Sequence, residues 1–342
     1  MFSYSSTTIL INCTFSGNFA VYDGGGMYNI LSTPILINST FNGNYAGEFG
    51  GGMCNLYYSS PTLKNTTFSG NIAKYGGGMA NYINSTPALI NSTFSGNFAI
   101  YFGGGMHNQT ESSPILVNCI FNGNFANNFG GGMSNFDNSS PTLMNNTFSG
   151  NSAKYGGGMF NYLSSNPTLT NSTFSGNFAA FYVGGMFNYS SNPTITNSIF
   201  WLNEDSGGTN QSAQIFGGTP VVNYSCIQGW TGGFGGTGNI GDDPMFVRNP
   251  DDGGDGWGVG GNDDYGDLRL SSGSSCIDAG DNTAVPPDVY DIDGDSNTTE
   301  RMPWDLDSIS RFIDDLLTVD TGLPDLPNYP YIVDMGAYEY HP

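Results

Sequence analysis

The stretch PILINSTFNGNYAGEFGGGMCNLYYSS, residues 34–60, recurs with changes along the first 200 residues of the chain. Two markers set its register, Phe-x-Gly-Asn and Gly-Gly-Met-x-Asn. The first begins at Phe15, Phe41, Phe68, Phe94, Phe121, Phe148 and Phe174, with a degenerate copy at Phe200. The methionine of the second stands at Met27, Met53, Met79, Met106, Met133, Met159 and Met186. A fixed spacing of 26 or 27 residues is typical of a stack of units, each of which buries its apolar face against its neighbours.

Each repeat consists of short runs rich in Thr, Ile, Leu and Phe, and these runs are separated by glycine clusters and Ser-Pro turns. Runs of ~4–6 residues bounded in this way indicate strands rather than helices. Strands that recur in register pair with their equivalents one turn later, so the fold is predicted to be an all-β parallel β-helix. We expect about eight regular rungs in residues 1–200. Degenerate rungs and an irregular, acidic, loop-rich C-terminal cap of the same solenoid are predicted in residues 201–342.

One position of the repeat is always aliphatic, whereas the next one varies. The constant position is predicted to face the core, and it is occupied by Leu36, Leu63, Leu89, Leu116, Leu143, Leu169 and Ile195. The variable position is predicted to face solvent, and it is occupied by Ile37, Lys64, Ile90, Val117, Met144, Thr170 and Thr196. This interpretation rests on the alternation of side chains along a strand.

Two asparagine rows are predicted to form ladders at the ~4.8 Å strand spacing, in which side-chain amides bond to each other and to turn carbonyls. The first contains Asn18, Asn44, Asn71, Asn97, Asn124, Asn151 and Asn177. The second contains Asn29, Asn55, Asn81, Asn108, Asn135, Asn161 and Asn188.

Charge is distributed unevenly along the chain. Residues 1–200 hold four acids and three lysines, for a net charge of −1, whereas residues 201–342 hold 25 acids and four arginines, for a net charge of −21. A chain this acidic is a poor partner for nucleic acid or an anionic membrane, and the charge suggests an affinity for cations instead. We find no apolar segment long enough to span a membrane.

Several motifs resemble known families. Phe-x-x-Asn paired with Gly-Gly-x-Met resembles the repeats of polymorphic outer membrane proteins. Six ordered motifs resemble the choice-of-anchor Q domain proteins: NSIFW (197–201), VNYSCIQG (222–229), GNIGDDPMF (238–246), DLRL (267–270), SCIDAGD (275–281) and VDMGAYEY (333–340). The resemblance implies a right-handed, pectin-lyase-like β-helix on a secreted or surface-bound protein.

The expected location is therefore extracellular or at the cell surface, although neither a signal peptide nor an anchor is recognisable in the chain. Met1 aligns with the methionine of the repeat, inside a rung. We therefore expect the natural protein to be longer at its N-terminus, because a terminal rung needs a cover.

Asn-x-Ser/Thr sequons could carry N-linked glycans in an exported protein. One set follows the rungs and consists of Asn12, Asn38, Asn65, Asn91, Asn145 and Asn171; a second lies in turns and consists of Asn84, Asn108, Asn138 and Asn210. In the rung set a structural role competes with glycosylation, because Asn118 and Asn197 keep the asparagine where Ile replaces the hydroxyl residue.

A calcium interpretation belongs to the cap. Framed from Val289, the loop places Asp291, Asp293, Gly294, Asp295 and Glu300 at positions 3, 5, 6, 7 and 12 of a calcium loop, but position 1 lacks a carboxylate. The candidate structural calcium ligands are Asp278, Asp281, Asp291, Asp293, Asp295, Glu300 and Asp334. The alternative is that these acids are simply solvated, and no cofactor is expected to be required.

Catalysis is not expected from these residues. The four rung acids are scattered over different repeats, and His107 stands at a variable position that is predicted to be on the surface. A polysaccharide lyase or hydrolase needs clustered carboxylates, so that hypothesis is the least favoured.

An aromatic row precedes the glycine corner, at Tyr22, Phe49, Tyr75, Phe102, Phe129, Tyr155 and Tyr182. Exposed rings could stack on sugars, whereas at least partial burial is favoured. We therefore predict a non-enzymatic structural or adhesive β-helix that could self-associate into filaments, with a carbohydrate-binding adhesin as the alternative.

Overall fold

The computed structural model describes residues 1–259, 261–325 and 327–342. Its strands form a parallel β-solenoid, in which each turn of the chain adds one strand to each of several sheets. Three sheets have nine strands and a fourth has seven, and every pairing within these four sheets is parallel. The predicted parallel β-helix is therefore confirmed.

The four sheets, named I to IV in the order in which the chain enters them, contain the following strands. Sheet I contains Phe2–Tyr4, Met27–Ile30, Met53–Leu56, Met79–Tyr82, Met106–Gln109, Met133–Phe136, Met159–Tyr162, Met186–Tyr189 and Ile215–Phe216. Sheet II contains Ile9–Ile11, Ile35–Ile37, Thr62–Lys64, Ala88–Ile90, Ile115–Val117, Thr142–Met144, Thr168–Thr170, Thr194–Thr196 and Val221–Asn223. Sheet III contains Thr14–Ser16, Thr40–Asn42, Thr67–Ser69, Thr93–Ser95, Ile120–Asn122, Thr147–Ser149, Thr173–Ser175, Ile199–Trp201 and Cys226–Ile227. Sheet IV contains Phe19–Ala20, Tyr45–Ala46, Ile72–Tyr75, Phe98–Phe102, Phe125–Ala126, Ser152–Tyr155 and Phe178–Tyr182.

The last strand of sheets I, II and III lies beyond residue 200, so the solenoid continues to Cys226–Ile227. The remaining segment has little regular structure. In the described residues it contains an antiparallel pair, Phe246–Arg248 with Asp267–Leu270, and a 3₁₀ turn at Asn282–Ala284. One short helix, Gln211–Gln214, interrupts the last turn of the solenoid.

The core consists of stacked rows of identical side chains. The phenylalanines of sheet III stack with parallel rings, and their centroids are 4.6 Å apart at Phe15–Phe41 and 4.4 Å apart at Phe148–Phe174. The predicted aliphatic core row is confirmed, because its members from Leu36 to Ile195 are completely buried. Each such side chain stabilises the fold by ~1.5–3 kcal/mol through burial.

The glycine cluster before each methionine brings neighbouring turns close together. A Cβ atom on Gly52 would lie 2.6 Å from the carbonyl oxygen of Gly78 and 2.8 Å from the ring of Phe68. Only a residue without a side chain fits there, which explains why the glycines recur with the period of the rungs.

The C-terminal segment does not merely follow the last rung; it returns along the solenoid and covers part of sheet II. Val285, Met302 and Val333 pack in one cluster with Val117 and Met144 of the rungs. The prediction that the variable position faces solvent is therefore wrong for Ile90, Val117, Met144 and Thr170, which are buried. For Val117 and Met144 the cause is the returning cap, which no repeat pattern encodes.

Candidate functional site

The first asparagine ladder is confirmed. Asn71 Nδ2 donates to Asn97 Oδ1 at 2.9 Å and to the carbonyl oxygen of Phe41 at 3.0 Å. The same bonds recur along the row as far as Asn203. Gln214 then ends the ladder, because its Oε1 accepts from Asn203 Nδ2 at 2.7 Å. A buried polar row is stable only when its amides are paired, and this row is paired at its C-terminal end by a different side chain.

The second ladder is also confirmed, and its ends differ from those of the first. Six amide-to-amide bonds of 2.8 Å connect its members from Asn29 to Asn188. Asn29 Oδ1 and Asn188 Nδ2 are buried without a hydrogen-bond partner. The row therefore begins with a free acceptor and ends with a free donor.

A third asparagine row holds the cap. Its members have left-handed backbone angles, with φ between 48° and 56°: Asn12, Asn38, Asn65, Asn91, Asn118, Asn145, Asn171 and Asn197. The first four are exposed and the last four are buried. Asn145, Asn171 and Asn197 donate to carbonyl oxygens of Trp304, Asp334 and Asp281 at 2.9, 3.1 and 2.9 Å. The asparagine at this turn is therefore exposed in the early rungs, and in three of the later rungs it is hydrogen-bonded to the cap.

This arrangement divides the predicted glycosylation sites. The cap buries the amides of Asn145 and Asn171, and Asn108 lies inside the second ladder, so these three are buried in the folded protein. Asn84 is half-buried. The other predicted glycosylation sites are exposed: Asn12, Asn38, Asn65, Asn91, Asn138 and Asn210.

Three groups of carboxylates lie in the cap. Within each, one oxygen per residue lies within 4.8 Å of the others: Asp278, Asp314 and Asp320; Asp288, Asp293 and Glu300; and Asp291, Asp293 and Asp295. Sequence spacing does not single out Asp288, Asp314 or Asp320. Asp288 falls outside a calcium loop that begins at Val289, whose side chain is exposed.

Asp278 is the buried member of the first group. Its Oδ2 accepts from the backbone N–H of Asp315 at 3.3 Å, whereas its Oδ1 has no hydrogen-bond partner. Burial, followed by the negative charges of Asp314 and Asp320, raises the pKa of this carboxyl to about 7.

Asp334 and Asp281 lie outside these groups and hold backbone amides instead. Asp334 accepts from the N–H groups of Asp278 at 2.8 Å and Tyr340 at 2.6 Å, and burial raises its pKa to about 8. Asp281 accepts from the N–H of Thr283 at 2.8 Å and begins the 3₁₀ turn. Their hydrogen bonds give both residues a structural role in the cap.

The buried ionisable side chains of the cap are mostly acids. Among the described residues Arg311 is the only buried Lys or Arg, and it faces Glu339 at 3.5 Å and donates to the carbonyl oxygen of Ala337 at 2.9 Å. Burial raises the pKa of Glu339 well above its ordinary value. The described part of the cap thus buries one guanidinium and six acids: Asp278, Asp288, Asp305, Asp315, Asp334 and Glu339.

The aromatic row is half-buried between Phe49 and Tyr155 and exposed at its two ends, Tyr22 and Tyr182. Ring centroids are 4.9 Å apart at Phe49–Tyr75 and 5.2 Å apart at Phe129–Tyr155. These two pairs are stacked, whereas Tyr75–Phe102 and Phe102–Phe129 are tilted by 59° and 55°. The half-buried rings agree with the favoured prediction of partial burial, and the exposed rings of the row are those at its ends.

Two surface pockets flank the loop that follows sheet III at the C-terminal end of the solenoid. One, of about 230 Å³, is lined by aromatic and polar side chains: Phe181, Tyr182, Asp205, Ser206, Ser212 and Phe216. The other, of about 340 Å³, is lined by Phe178, Glu204, Asp251, Asp252 and Trp257, among others. Sugar rings bind at sites where aromatic rings lie beside carboxylate and hydroxyl groups.

His107 is buried, so its predicted surface position is wrong. Its Nδ1 lies 2.8 Å from Ser134 Oγ and its Nε2 lies 3.2 Å from Gln109 Oε1, beneath the rings of Tyr75 and Phe102. Burial lowers its pKa to about 4. The position varies in sequence because it fills space under the aromatic row, and a buried side chain there does not meet a substrate.

Comparison with known proteins agrees with this architecture. The family described as a right-handed β-helix region matches residues 1–174 and 112–235, which together cover more than half of the chain. No curated protein matches the chain. Within residues 1–259, 261–325 and 327–342, no helix has the length and apolar character needed to cross a bilayer.

Proposed function

The chain belongs to the right-handed β-helix family, and from this premise we propose that it is a non-enzymatic structural or adhesive protein of the cell surface or extracellular space. The observation that carries the proposal is that the interior of each rung is filled by side chains that contact the neighbouring rungs. Each rung contributes amides to ladders such as Asn71–Asn97 and rings to stacks such as Phe68–Phe94, so its interior groups serve the rod itself. The resemblance of the C-terminal motifs to choice-of-anchor Q proteins supports a surface location.

The adhesive part of the proposal concerns carbohydrate. Tyr182 and Phe181 expose their rings at the end of the aromatic row, in the pocket that also contains Asp205 and two serines. Trp257 lines the neighbouring pocket. Together they offer apolar faces and hydrogen-bonding groups across one edge of the solenoid, which favours an extended polysaccharide over a single small ligand.

Affinity electrophoresis on a panel of plant, algal and microbial polysaccharides tests the adhesive proposal. We expect retardation by at least one neutral or acidic polysaccharide, and we expect Tyr182→Ala and Trp257→Ala to reduce it severalfold. Tyr4→Ala is the matched control, because Tyr4 is also an exposed aromatic residue, in the first rung. Equal retardation of all variants would place the contact elsewhere.

The same panel tests the enzymatic alternative, for which the neighbouring carboxylates Glu204 and Asp251 are the relevant groups. A lyase creates a carbon–carbon double bond that absorbs in the ultraviolet, and a hydrolase releases new reducing ends. We expect neither product. Their appearance in the wild type, and their loss in Glu204→Gln, would replace the proposal with a catalytic one.

Self-association into filaments stays a prediction, checked by light scattering over a concentration series.

A further inference from the structure

The loop between residues 288 and 300 closes on itself in the cap. The backbone N–H of Asp288 donates to the carbonyl oxygen of Glu300 at 2.8 Å, so the two ends of the loop lie side by side. This closure brings the carboxylates of Asp288, Asp293 and Glu300 together, with one oxygen from each within 4.8 Å of the others. Three negative charges at this separation repel each other unless water or a cation lies between them.

Two residues of this group each have a buried, unpaired carboxylate oxygen. Asp288 is completely buried; its Oδ2 accepts from the N–H of Ile292 at 2.8 Å, whereas its Oδ1 has no partner. Glu300 Oε2 accepts from Asn297 Nδ2 at 3.1 Å, and its Oε1 is likewise unpaired. A buried carboxylate oxygen without a hydrogen-bond donor costs folding free energy, and two such oxygens in one group favour a cation site there.

In the described part of the chain no Lys or Arg forms an ion pair with these carboxylates. The ion pairs found among the described residues involve Lys74, Arg248, Arg269, Arg301 and Arg311, and none of them includes a carboxylate of this group.

We propose that Asp288, Asp293 and Glu300 bind one Ca²⁺ ion. The donors are all carboxylate oxygens, which suit a hard cation rather than zinc. The three oxygens lie within 4.8 Å of one another, close enough for one ion to contact all of them. Mg²⁺ usually keeps several waters and is held by one or two carboxylates, so a set of three carboxylates favours calcium. Water completes the coordination, and it has access because Glu300 also lines a surface pocket of about 560 Å³.

Binding at this loop would also hold the cap on the rungs. Tyr290 and Ile292, which lie between the ligands in sequence, pack against the cluster that contains Val117 and Met144. An ion that fixes Asp288 and Glu300 therefore also restrains Tyr290 and Ile292, two of the side chains that cover sheet II. Calcium is expected to make the cap more resistant to proteolysis and to leave the early rungs unaffected.

The test uses the full chain after removal of divalent ions with EDTA. Isothermal titration with CaCl₂ should show binding, and Asp288→Asn and Glu300→Gln should each weaken one equivalent of it by about tenfold or more, because ligand charge sets affinity. Asp255→Asn is the matched control: Asp255 is exposed in an acidic loop and lies outside the three carboxylate groups. Calcium bound by the Asp278 group would persist in both ligand variants.

Two results would overturn the proposal: no heat of binding in the wild type at ~10 mM Ca²⁺, above the range of weak extracellular sites, or unchanged titrations for both ligand variants. If Asp288→Asn does not fold, as judged by circular dichroism, Glu300→Gln decides alone, because Glu300 is only half-buried. Limited proteolysis provides an independent readout. Calcium should slow cleavage after residue 228 in the wild type and in Asp255→Asn, and it should not do so in Glu300→Gln.

Discussion

Asn145 Nδ2 donates a hydrogen bond to the carbonyl oxygen of Trp304 at 2.9 Å, although 159 residues separate the two in sequence. The same amide donates to Asn118 Oδ1 at 3.0 Å. A turn residue of the sixth rung thus fastens the returning cap. Loss of this side chain is expected to affect the cap before it affects the solenoid.

Asn145→Ala should destabilise the protein more than Asn91→Ala does. Both residues occupy the same left-handed turn position, with φ of 56° and 50°, so the backbone cost of alanine is similar. Asn91 is exposed, whereas Asn145 also loses its bonds to the cap. We expect a difference of about 1–3 kcal/mol in the free energy of unfolding, measured with urea. Equal destabilisation would show that these bonds add nothing to cap docking.

Asn97→Ala should be among the most destabilising single substitutions. Its side chain accepts from Asn71 twice and donates to Phe68 and Asn124, all at 2.9–3.0 Å inside the core. Loss of four buried bonds is expected to cost about 3–5 kcal/mol. Asn18→Ala is the control, because Asn18 is exposed at the start of the same ladder, and it should cost about 1 kcal/mol. Thermal and chemical unfolding of both variants provide the comparison.

His107 should make the fold sensitive to acid. Its folded pKa of about 4 lies below the unfolded value of 6.5 because burial disfavours the imidazolium, although Gln109 and Asp137 act in the opposite direction. The stability contribution is complete above pH 6.5 and is lost as the pH falls towards 4.

His107→Ser isolates this effect from the many carboxylates that titrate in the same range. The stability advantage of the wild type over the variant should shrink by about 3 kcal/mol between pH 7 and pH 4. Serine is the natural residue at the equivalent position of the next rung, Ser134. A difference that stays constant with pH would mean that the buried imidazole does not titrate.

Expression through a eukaryotic secretory pathway should separate exposed from buried sequons. We expect glycans at exposed turn positions such as Asn38 and Asn138 and none on Asn145 or Asn171, whose amides hold the cap. Site-resolved mass spectrometry of the folded protein measures this. A glycan on Asn171 in folded protein would show that the cap can leave the rungs.

The repeat register was sufficient to predict the rungs, the aliphatic core row and both ladders, because each follows from contacts between equivalent residues one period apart. It was insufficient for Val117 and Met144, which look like surface residues in the repeat and are covered by a segment more than a hundred residues later. Long-range return of an irregular segment leaves no periodic signal.

The cap acids illustrate the same limit on a smaller scale. Spacing within the loop identifies Asp293 and Glu300, but it does not identify Asp288. The carboxylate of Asp288 joins theirs because a backbone hydrogen bond to Glu300 closes the loop. The predicted surface position of His107 is wrong for a related reason. Variation along a row suggests exposure, whereas the residues in this row fill differently shaped spaces beneath the aromatic rings.

In the second ladder every amide nitrogen points towards the following rung, from Asn29 to Asn188. Six bond dipoles therefore add along the axis instead of cancelling, and bonds in such a chain polarise one another. The ladder itself is consequently directional, with an unpaired oxygen at Asn29 and an unpaired nitrogen at Asn188. Both ends are enclosed, because Ser3 lies beside Asn29 and Ile215–Phe216 pairs with the strand that carries Asn188, so each end leaves an unpaired polar atom inside the solenoid.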